Sequence, residues 1–494
     1  SLEAHPLARE EAAVALRSSP EIANAAEALL AAWPGVRRGF HRVDLPGFGA
    51  ILDLAVMEAG EALSLWQGSA DAWFLDGFSP AANPAMWRED VLKLVAEKSA
   101  PGARAATFTV AGAVRRGLAD CGFDLERKPG FGHKRERLEA RLTGRRAEAP
   151  TPGRIAIIGG GIAGAALVRA FRALGVSVEV FASEAGASTN PAALVSPGLD
   201  ASGRARGRLN AAAFSRALPL YEAVPDAVIA RGAALIETEE RDPRRFAAVE
   251  KQTFFEPRSF EPLDPAQVAD WLGEAPGPAG LMVRDALVID PSPVLAAWLG
   301  EQVRPARIER LEPRSAGWRM HLDRGEPLDA DIVIVAAGWG GSALLPGLRL
   351  VPVRGQASWT DLPDPPRAAS FSGYAIPTRQ GVLFGSTHDR GDTGGEVRAE
   401  DHARNIASIA QVRPALAARI DPGRLSGRAA MRASTAGQMP VVGEVSPGLY
   451  VFGGLGSLGF TTAPLLAEHL AAVICGAPSP LPADLMSLVA APRL

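Results

Sequence analysis

The chain is 494 residues long, enough for about three folding units or two of which one is large, and its 47% apolar and 22% charged residues exclude both a lone small module and wholesale disorder. Lys plus Arg number 52 against 55 acids, a net charge of −3, so no global positive field recruits nucleic acid or anionic lipid and any polyanion must be held by a local patch. Cys121 and Cys475 are the only two cysteines, no apolar run reaches the ~18–20 residues of a membrane helix, and Ser1-Leu-Glu-Ala-His is not a basic-then-apolar leader; a cytoplasmic protein without disulfides or a membrane partner is expected.

In chain order, the pattern predicts a helix over Arg9–Trp33, strands near Ala50–Leu54 and Ala72–Leu75, a helix over Met86–Lys98 and a strand over Ala103–Thr109. Such alternation implies a parallel sheet covered by helices. Asp71-Ala-Trp-Phe-Leu-Asp76-Gly-Phe78-Ser-Pro80-Ala-Ala-Asn-Pro84 reads as a buried strand presenting a carboxylate, followed by a loop stiffened by prolines. At the strand ends of open α/β sheets such loops bind ligands. Residues 113–146 hold ten basic residues (Arg115, Arg116, Arg127, Lys128, Lys134, Arg135, Arg137, Arg141, Arg145, Arg146) against five acids. That is either a phosphate-binding patch or a solvated helix face running into a linker. The breaker-rich stretch 144–152 places a domain boundary between 1–143 and 153–494.

Arg154-Ile-Ala-Ile-Ile-Gly159-Gly-Gly161-Ile162-Ala163-Gly164 reads as a buried strand, a tight turn and a helix start, with a second strand at Val176–Phe181. Gly159 permits the turn, Gly161 admits a pyrophosphate close to the backbone, and Gly164 lets helix pack on strand. The helix amino terminus then holds phosphate charge. Where an acid for the ribose hydroxyls is expected stands Ala182; Glu184 is the nearest substitute, and otherwise a loop charge. Three later segments bear on which dinucleotide is bound. Gly186-Ala-Ser188-Thr-Asn190 supplies small and hydroxyl residues, Asp331-Ile-Val-Ile-Val-Ala-Ala337-Gly338 is a second strand-to-glycine turn, and Gly453-Gly-Leu-Gly456-Ser457-Leu458-Gly459 opens the last long helix. The distance between these pieces predicts a nucleotide domain assembled around an inserted one.

Together with Pro352-Val-Arg354-Gly-Gln356, these segments resemble the glycine oxidase and D-amino-acid oxidase family of flavoproteins over roughly Gly153 to Val489. The resemblance implies FAD, a Rossmann-type FAD lobe, and an antiparallel-sheet substrate lobe over roughly 226–326 and 349–432. It also implies oxidation of the carbon next to an amine by hydride transfer to flavin, followed by hydrolysis of the imine. An arginine fork usually orients the substrate carboxylate. Arg354, Arg390 and Arg432 are the candidates, and Arg432 is favoured because Thr435, Pro440 and Gly443 follow it in the family's spacing, although Gly437 stands where an acid is often found. Tyr374 and His388 are candidates to line the same pocket.

The Asp71–Trp87 string resembles the acidic loop of amine-directed methyltransferases. With Phe131-Gly-His-Lys134-Arg135 it is similar to the first half of the bifunctional bacterial enzymes that make 5-methylaminomethyl-2-thiouridine at the tRNA wobble position. The implied fold is α/β: an incomplete class I (Rossmann-like) methyltransferase domain followed by a two-lobed FAD-dependent amine oxidase. The implied activity is removal of the carboxymethyl group from carboxymethylaminomethyl(-2-thio)uridine as glyoxylate, then methylation of the resulting amine with S-adenosylmethionine. On this resemblance Asp76 positions the amine, Phe78, Pro80, Arg115, Arg116, Lys134 and Arg135 contact the substrate, and Glu3 meets the ribose of S-adenosylmethionine. No strand and glycine turn precede Asp76, since Gly47-Phe-Gly49 follows Pro46; the cofactor loop is expected upstream of residue 1, or methyl transfer is lost. A tRNA-binding monomer is expected. The competing readings are a free glycine or sarcosine oxidase with a vestigial first domain, and an RNA-binding protein that keeps flavin only for structure.

Overall fold

A computed structural model describes residues 1–130, 135–144, 152–183, 186–275, 277–301 and 303–494. The chain separates into two units, Ser1–Thr151 with Ala472–Asp484, and Pro152–Ala471 with Leu485–Leu494. The expected linker at 144–152 falls largely on 145–151, outside the described residues.

In unit 1 the first helical run is two helices, α1 (Arg9–Leu16) and α2 (Ala23–Ala31). Pro20 lacks the N–H needed to continue a helix and starts a 3₁₀ turn between them. The hairpin β1 (Gly39–Leu45) and β2 (Ala50–Val56) follows, with Leu2 bridged in parallel to Ala55 on β2. Next come α3 (Ala59–Leu65), β3 (Ala70–Phe74), α4 (Glu89–Glu97), β4 (Ser99–Thr107), α5 (Gly112–Asp120), β5 (Phe123–Pro129) and β6 (Glu136–Leu142). The last four strands form a sheet in the order β3-β4-β6-β5. Only β3 and β4 run parallel; β6 returns antiparallel to both β4 and β5, so the all-parallel sheet expected from the alternation does not form. Six residues connect β5 to β6, too few for the crossover that a parallel pair requires. Nor is β3 a buried strand. It has one ladder among the described residues, Asp71 and Ala72 are exposed, and Phe74 is 85% exposed. The core instead gathers under α4 and α5, around Leu92, Val114, Leu118 and Leu138.

Unit 2 opens with β7 (Ile155–Ile158), α6 (Ile162–Ala173) and β8 (Glu179–Phe181). It continues through β9 (Ala193–Val195), α7 (Ala205–Glu222), β10 (Val228–Ile236), α8 (Asp242–Glu250), β11 (Phe260–Leu263), α9 (Pro265–Leu272), β12 (Gly280–Ile289), α10 (Pro291–Leu299) and β13 (Val303–Arg304). The meander β14 (Ile308–Pro313), β15 (Trp318–Leu322) and β16 (Leu328–Ala330) leads to β17 (Ile332–Val335). Then come β18 (Val351–Asp361), β19 (Ala369–Ser370), β20 (Tyr374–Pro377), β21 (Gly381–Gly385), β22 (Asp389–Arg390), α11 (Ala399–Val412), α12 (Pro414–Ala418), β23 (Ser426–Ser434), β24 (Val441–Ser446), β25 (Leu449–Gly453), α13 (Gly459–Cys475) and α14 (Ala483–Val489).

Two sheets organise these strands. One runs β13-β8-β7-β17-β25-β24, parallel except at β24, and joins pieces nearly 300 residues apart. All four residues of β7 are buried, the continuous apolar run that a strand covered on both faces requires. The other is a ten-stranded, mostly antiparallel sheet, β11-β12-β10-β19-β20-β21-β18-β22, with β23 on β18 and β9 on β12. Residues 291–326 depart from the expected substrate lobe. β13 pairs with β8, and Ile308, Met320 and Ala330 pack with Ala156, Ile158 and Val333. The meander's apolar side chains thus complete the core over the parallel sheet.

The contact of α6 on β7 is tight: a Cβ at Gly164 would lie 1.9 Å from the Gly159 carbonyl oxygen. Gly164→Ala is therefore expected to cost roughly 1–3 kcal/mol by overpacking. In urea unfolding the loss should be absent from Gly437→Ala, where a Cβ meets nothing within 4 Å.

Candidate active site

A cavity of about 1330 Å³ runs between the two sheets of unit 2. At one end it is walled by the turn after β7. Gly159 adopts φ +122°, and a Cβ there would lie 2.4 Å from the Ala336 carbonyl oxygen, so the residue must be glycine. Gly161 caps α6, and Ser188 Oγ accepts the Ile162 N–H at 3.1 Å. Gly161, Ile162, Ala163, Ser188, Asn190, Ala337 and Gly338 all line the cavity, while Gly164 lies behind the wall, as its packing role requires. Ala182 lines it too, but Glu184 lies outside the described residues.

The second glycine turn meets the first. Gly456 (φ +54°), Ser457, Leu458 and Gly459 line the cavity, and a Cβ on Gly459 would lie 3.5 Å from Ile162 Cγ2. Two helix amino termini, of α6 and α13, thus open on one space with their positive dipole ends. Glycine-lined walls and two anion-attracting helix ends fit a dinucleotide. Ala306 to Glu309 also line this end, beside Phe181 and Ala182. Nothing in their sequence marks them, because they arrive from the meander rather than from the βα turn.

The other end is walled by the large sheet. Arg432 on β23 stands opposite Val353 on β18. Its Nη2 donates to Ser386 Oγ at 2.5 Å and the Thr387 carbonyl oxygen at 3.2 Å, and Nη1 approaches His388 Nδ1 at 3.2 Å and Ser457 Oγ at 3.5 Å. A Cβ on Gly355 would lie 1.9 Å from Nη2, so the glycine of Pro352-Val-Arg-Gly-Gln356 is the space through which this side chain crosses the strand. Tyr374 bonds Ser386 and lines the cavity with His388. Burial lowers the Arg432 guanidinium below its ordinary range and raises the Tyr374 phenol; His388 is lowered by burial and then by Arg432 and Arg390. Ser386 and Arg428, whose Nη1 donates to the Thr189 carbonyl oxygen at 3.0 Å, are cavity residues that the sequence reading did not single out.

Two of the three candidate arginines are not in the cavity. Arg354 is fully buried, with Nη1 on Asp401 Oδ2 at 2.5 Å, Nε on the Gly394 carbonyl oxygen at 2.9 Å and Nη2 on that of Glu396 at 2.6 Å. Its donors are committed to the protein, because a buried charge must be paired. Arg390, on the edge strand β22, is exposed and absent from the cavity wall.

In unit 1, Asp76 and Phe78 project from the loop after β3, and Phe78 is 71% exposed. Trp87 Nε1 donates to the Phe78 carbonyl oxygen at 2.7 Å, and Ser79 accepts from the Ala82 and Asn83 N–H groups, which set the loop containing Pro80. Glu3 follows the Leu2 bridge, and its Oε1 accepts the His5 N–H at 2.9 Å. Of the basic stretch, Lys134, Arg145 and Arg146 lie outside the described residues, as does Phe131. Arg127, Lys128 and Arg137 are paired with Glu136, Glu126 and Glu139, so much of the local charge excess is compensated within the β5–β6 hairpin. Arg116, Arg135 and Arg141 are exposed and Arg115 half-buried. No group of His, Cys, Asp and Glu among the described residues is disposed to hold a metal ion, and no described helix is long and apolar enough to cross a membrane.

The fold and the cavity define an FAD-dependent oxidoreductase of the amine-oxidase type, joined to a methyltransferase-like unit. Residues 154–473 match the family model described as FAD dependent oxidoreductase, and residues 20–143 that of S-adenosyl-L-methionine-dependent methyltransferases. Among solved structures, the chain is similar in fold to iminodiacetate oxidase from Chelativorans sp. BNC1 (TM-score 0.59, 22% identity, 69% of this chain and 100% of that one). It is also similar to glycine oxidase from Geobacillus kaustophilus (TM-score 0.55, 22% identity, 66% and 95%). Two proteins called tRNA 5-methylaminomethyl-2-thiouridine biosynthesis bifunctional protein MnmC are more closely related. The one from Caulobacter sp. (strain K31) is 55% identical over 99% of this chain and 82% of its own length, and that from Caulobacter vibrioides 56% over 99% and 83%. The chain belongs to this family of bifunctional proteins. The cofactors implied are FAD for unit 2, which the glycine cradle fits, and S-adenosylmethionine for unit 1. For the latter, residues 1–76 supply Glu3 and the Asp76 loop but no strand, glycine turn and helix in succession, so the fit is partial and no methyl-transfer step follows from these residues.

Gly161→Val places a branched side chain against Ser188 and into the path of a pyrophosphate. The variant is expected to fold, by circular dichroism, yet to purify with little or none of the flavin absorbance of the parent protein.

Proposed function

We propose that the chain is a cytoplasmic monomer that acts on wobble uridine of tRNA. Unit 2 removes the carboxymethyl group from carboxymethylaminomethyl(-2-thio)uridine, leaving the aminomethyl form and glyoxylate. The observation that carries this reading is Arg432: one guanidinium fork, pre-oriented by Ser386, Thr387 and His388, lies in the same cavity as the glycine turn of a dinucleotide site. An N-substituted glycine has the matching chemistry, a carboxylate for the fork and an amine one carbon away. Bound FAD supplies the two-electron acceptor for the C–H bond of that carbon.

The chain's own residues then act by position. Arg432 fixes the carboxylate by charge-assisted hydrogen bonding, which orients the intervening carbon toward the dinucleotide end. Tyr374, held by Ser386, closes the side of the pocket. Of the lining carboxylates, Asp242 is occupied by the Thr238 and Glu239 N–H groups at 3.0 Å each and by Arg245, and Glu239 is paired with Arg241; no general base is assigned. Methylation of the product amine is the second activity, which the methyltransferase family model over residues 20–143 supports; Asp76 is our candidate to position that amine.

Anaerobic incubation tests the reading. Flavin absorbance should bleach with tRNA carrying the carboxymethylaminomethyl group, and should stay unchanged with the unmodified tRNA. Bleaching by free glycine or sarcosine and none by the modified tRNA would replace it with a free amino-acid oxidase. Arg432→Met should slow bleaching by roughly 10²-fold or more, the loss of a charged contact to the carboxylate. Gly355→Ala, which pushes Nη2 off Ser386, should follow it in direction while retaining flavin.

A further inference from the structure

We propose that His388 and Arg432 form one carboxylate-recognition pair, in which His388 holds an arm of the guanidinium before substrate binds, then takes up a proton and becomes the second cation facing the carboxylate. The proposal rests on the reading of Arg432 as the carboxylate ligand and deepens it.

The donor accounting of Arg432 leads there. Nη2 spends both hydrogens on Ser386 Oγ and the Thr387 carbonyl oxygen. Thr387 is buried and does not line the cavity, whereas Ser386 does. Nη1 spends its two on His388 Nδ1 and Ser457 Oγ, both on residues that line the cavity. A carboxylate that bonds Nη1 takes one of these places. The Ser457 contact, at 3.5 Å, is long, and the His388 contact, at 3.2 Å, is the one that orients the fork.

A guanidinium donates and never accepts, so Nδ1 of His388 presents its lone pair and the ring is neutral, with its hydrogen on Nε2. The groups around it account for that state. Arg432 faces it from β23, and Arg390 and Asp389 flank it in its own segment. Tyr374 on β20 reaches Arg432 through Ser386. Asp389 is the one acid of the set, and Arg404 on α11 holds both its oxygens, at 2.8 and 3.0 Å. Burial holds the proton affinity of His388 down, and Arg432 and Arg390 add to it against Asp389.

A substrate carboxylate opposes the charge of the two arginines. It replaces Nδ1 as the acceptor at Nη1, frees the imidazole lone pair, and adds a negative charge beside it. The proton comes from solvent and binds at Nδ1, which then donates to the carboxylate. Affinity should consequently be highest below the pKa of free His388. It should fall by up to tenfold per pH unit as pH rises toward the raised pKa of the complex, then level off.

Methoxyacetate, an N-methylglycine analogue with no amine to oxidise, is the probe, titrated into the FAD-loaded enzyme by calorimetry in two buffers of different ionisation enthalpy. The expected result is net uptake of up to one proton per site near neutral pH, with affinity declining toward alkaline pH. His388→Gln keeps a neutral partner for Nη1 and should bind with no proton uptake and a flat pH profile, about tenfold more weakly near neutrality. His388→Phe should show the same flat profile, which covers the case in which either variant alone disturbs the loop. Binding by the parent without proton uptake, or an unchanged pH profile in both variants, overturns the His388 role while leaving Arg432 in place. Equal affinity in Arg432→Met would instead remove the carboxylate role of Arg432 and both readings with it.

Discussion

The approach of α6 to β7 is the constraint on which the oxidoreductase unit is built. Because Gly159 and Gly164 have no side chains, the helix begins directly against the strand, and its amino terminus opens on the cavity. Substituting any Cβ at Gly164 would push that helix start outward. The same placement lets Ile162 touch Gly459, so α13 begins beside α6 and two helix dipoles converge on one region. Converging positive ends are costly without an anion between them, and a dinucleotide pyrophosphate is the ligand whose charge offsets that cost.

The substrate end depends on a different device, strand register. β18 and β23 pair over nine residues, and that ladder sets Arg432 beside Gly355. Arg354, one residue away, points to the opposite face as strand alternation demands, and there it meets Asp401. The pair is fully buried, so it adds little net stability over an apolar alternative but strongly penalises any other arrangement of α11 on the sheet. Arg404 on that helix then holds Asp389, next to His388. One arginine thus shapes the scaffold behind the site, and the other faces the cavity. A comparable economy governs α13, where the buried Glu468 carboxylate is shared by Arg169 of α6 and Arg216 of α7.

Unit 1 follows other rules. Its four-stranded sheet is small and mixed, and its most distinctive loop is held by the Trp87 indole on the Phe78 carbonyl and by N–H groups on the Ser79 carbonyl rather than by burial. An exposed acid flanked by exposed aromatic rings at Phe74 and Phe78 is arranged for contact with something outside the unit's own core. Arg127, Lys128 and Arg137 of β5 and β6 are paired with glutamates of the same hairpin, so charge counted along the sequence overstates the field they project.

Much of this was legible in the residues alone wherever the controlling physics is local. Gly159, Gly161 and Gly164 could be assigned because backbone conformation and close packing are dictated by the absence of a Cβ within six residues. The strand Ile155–Ile158, covered on both faces, declares itself by unbroken apolarity. The order of two half-proteins, and with it the family, was readable because the motifs lie in sequence. Tertiary structure alone decided the rest. Arg354, Arg390 and Arg432 are chemically identical, and only the pairing of β18 with β23 and the position of Asp401 separate a scaffold arginine from a cavity arginine. The exposed edge of β3 and the meander's place over the parallel sheet likewise depend on partners far along the chain, because a side chain's chemistry is intrinsic but its surroundings are set by what folds against it.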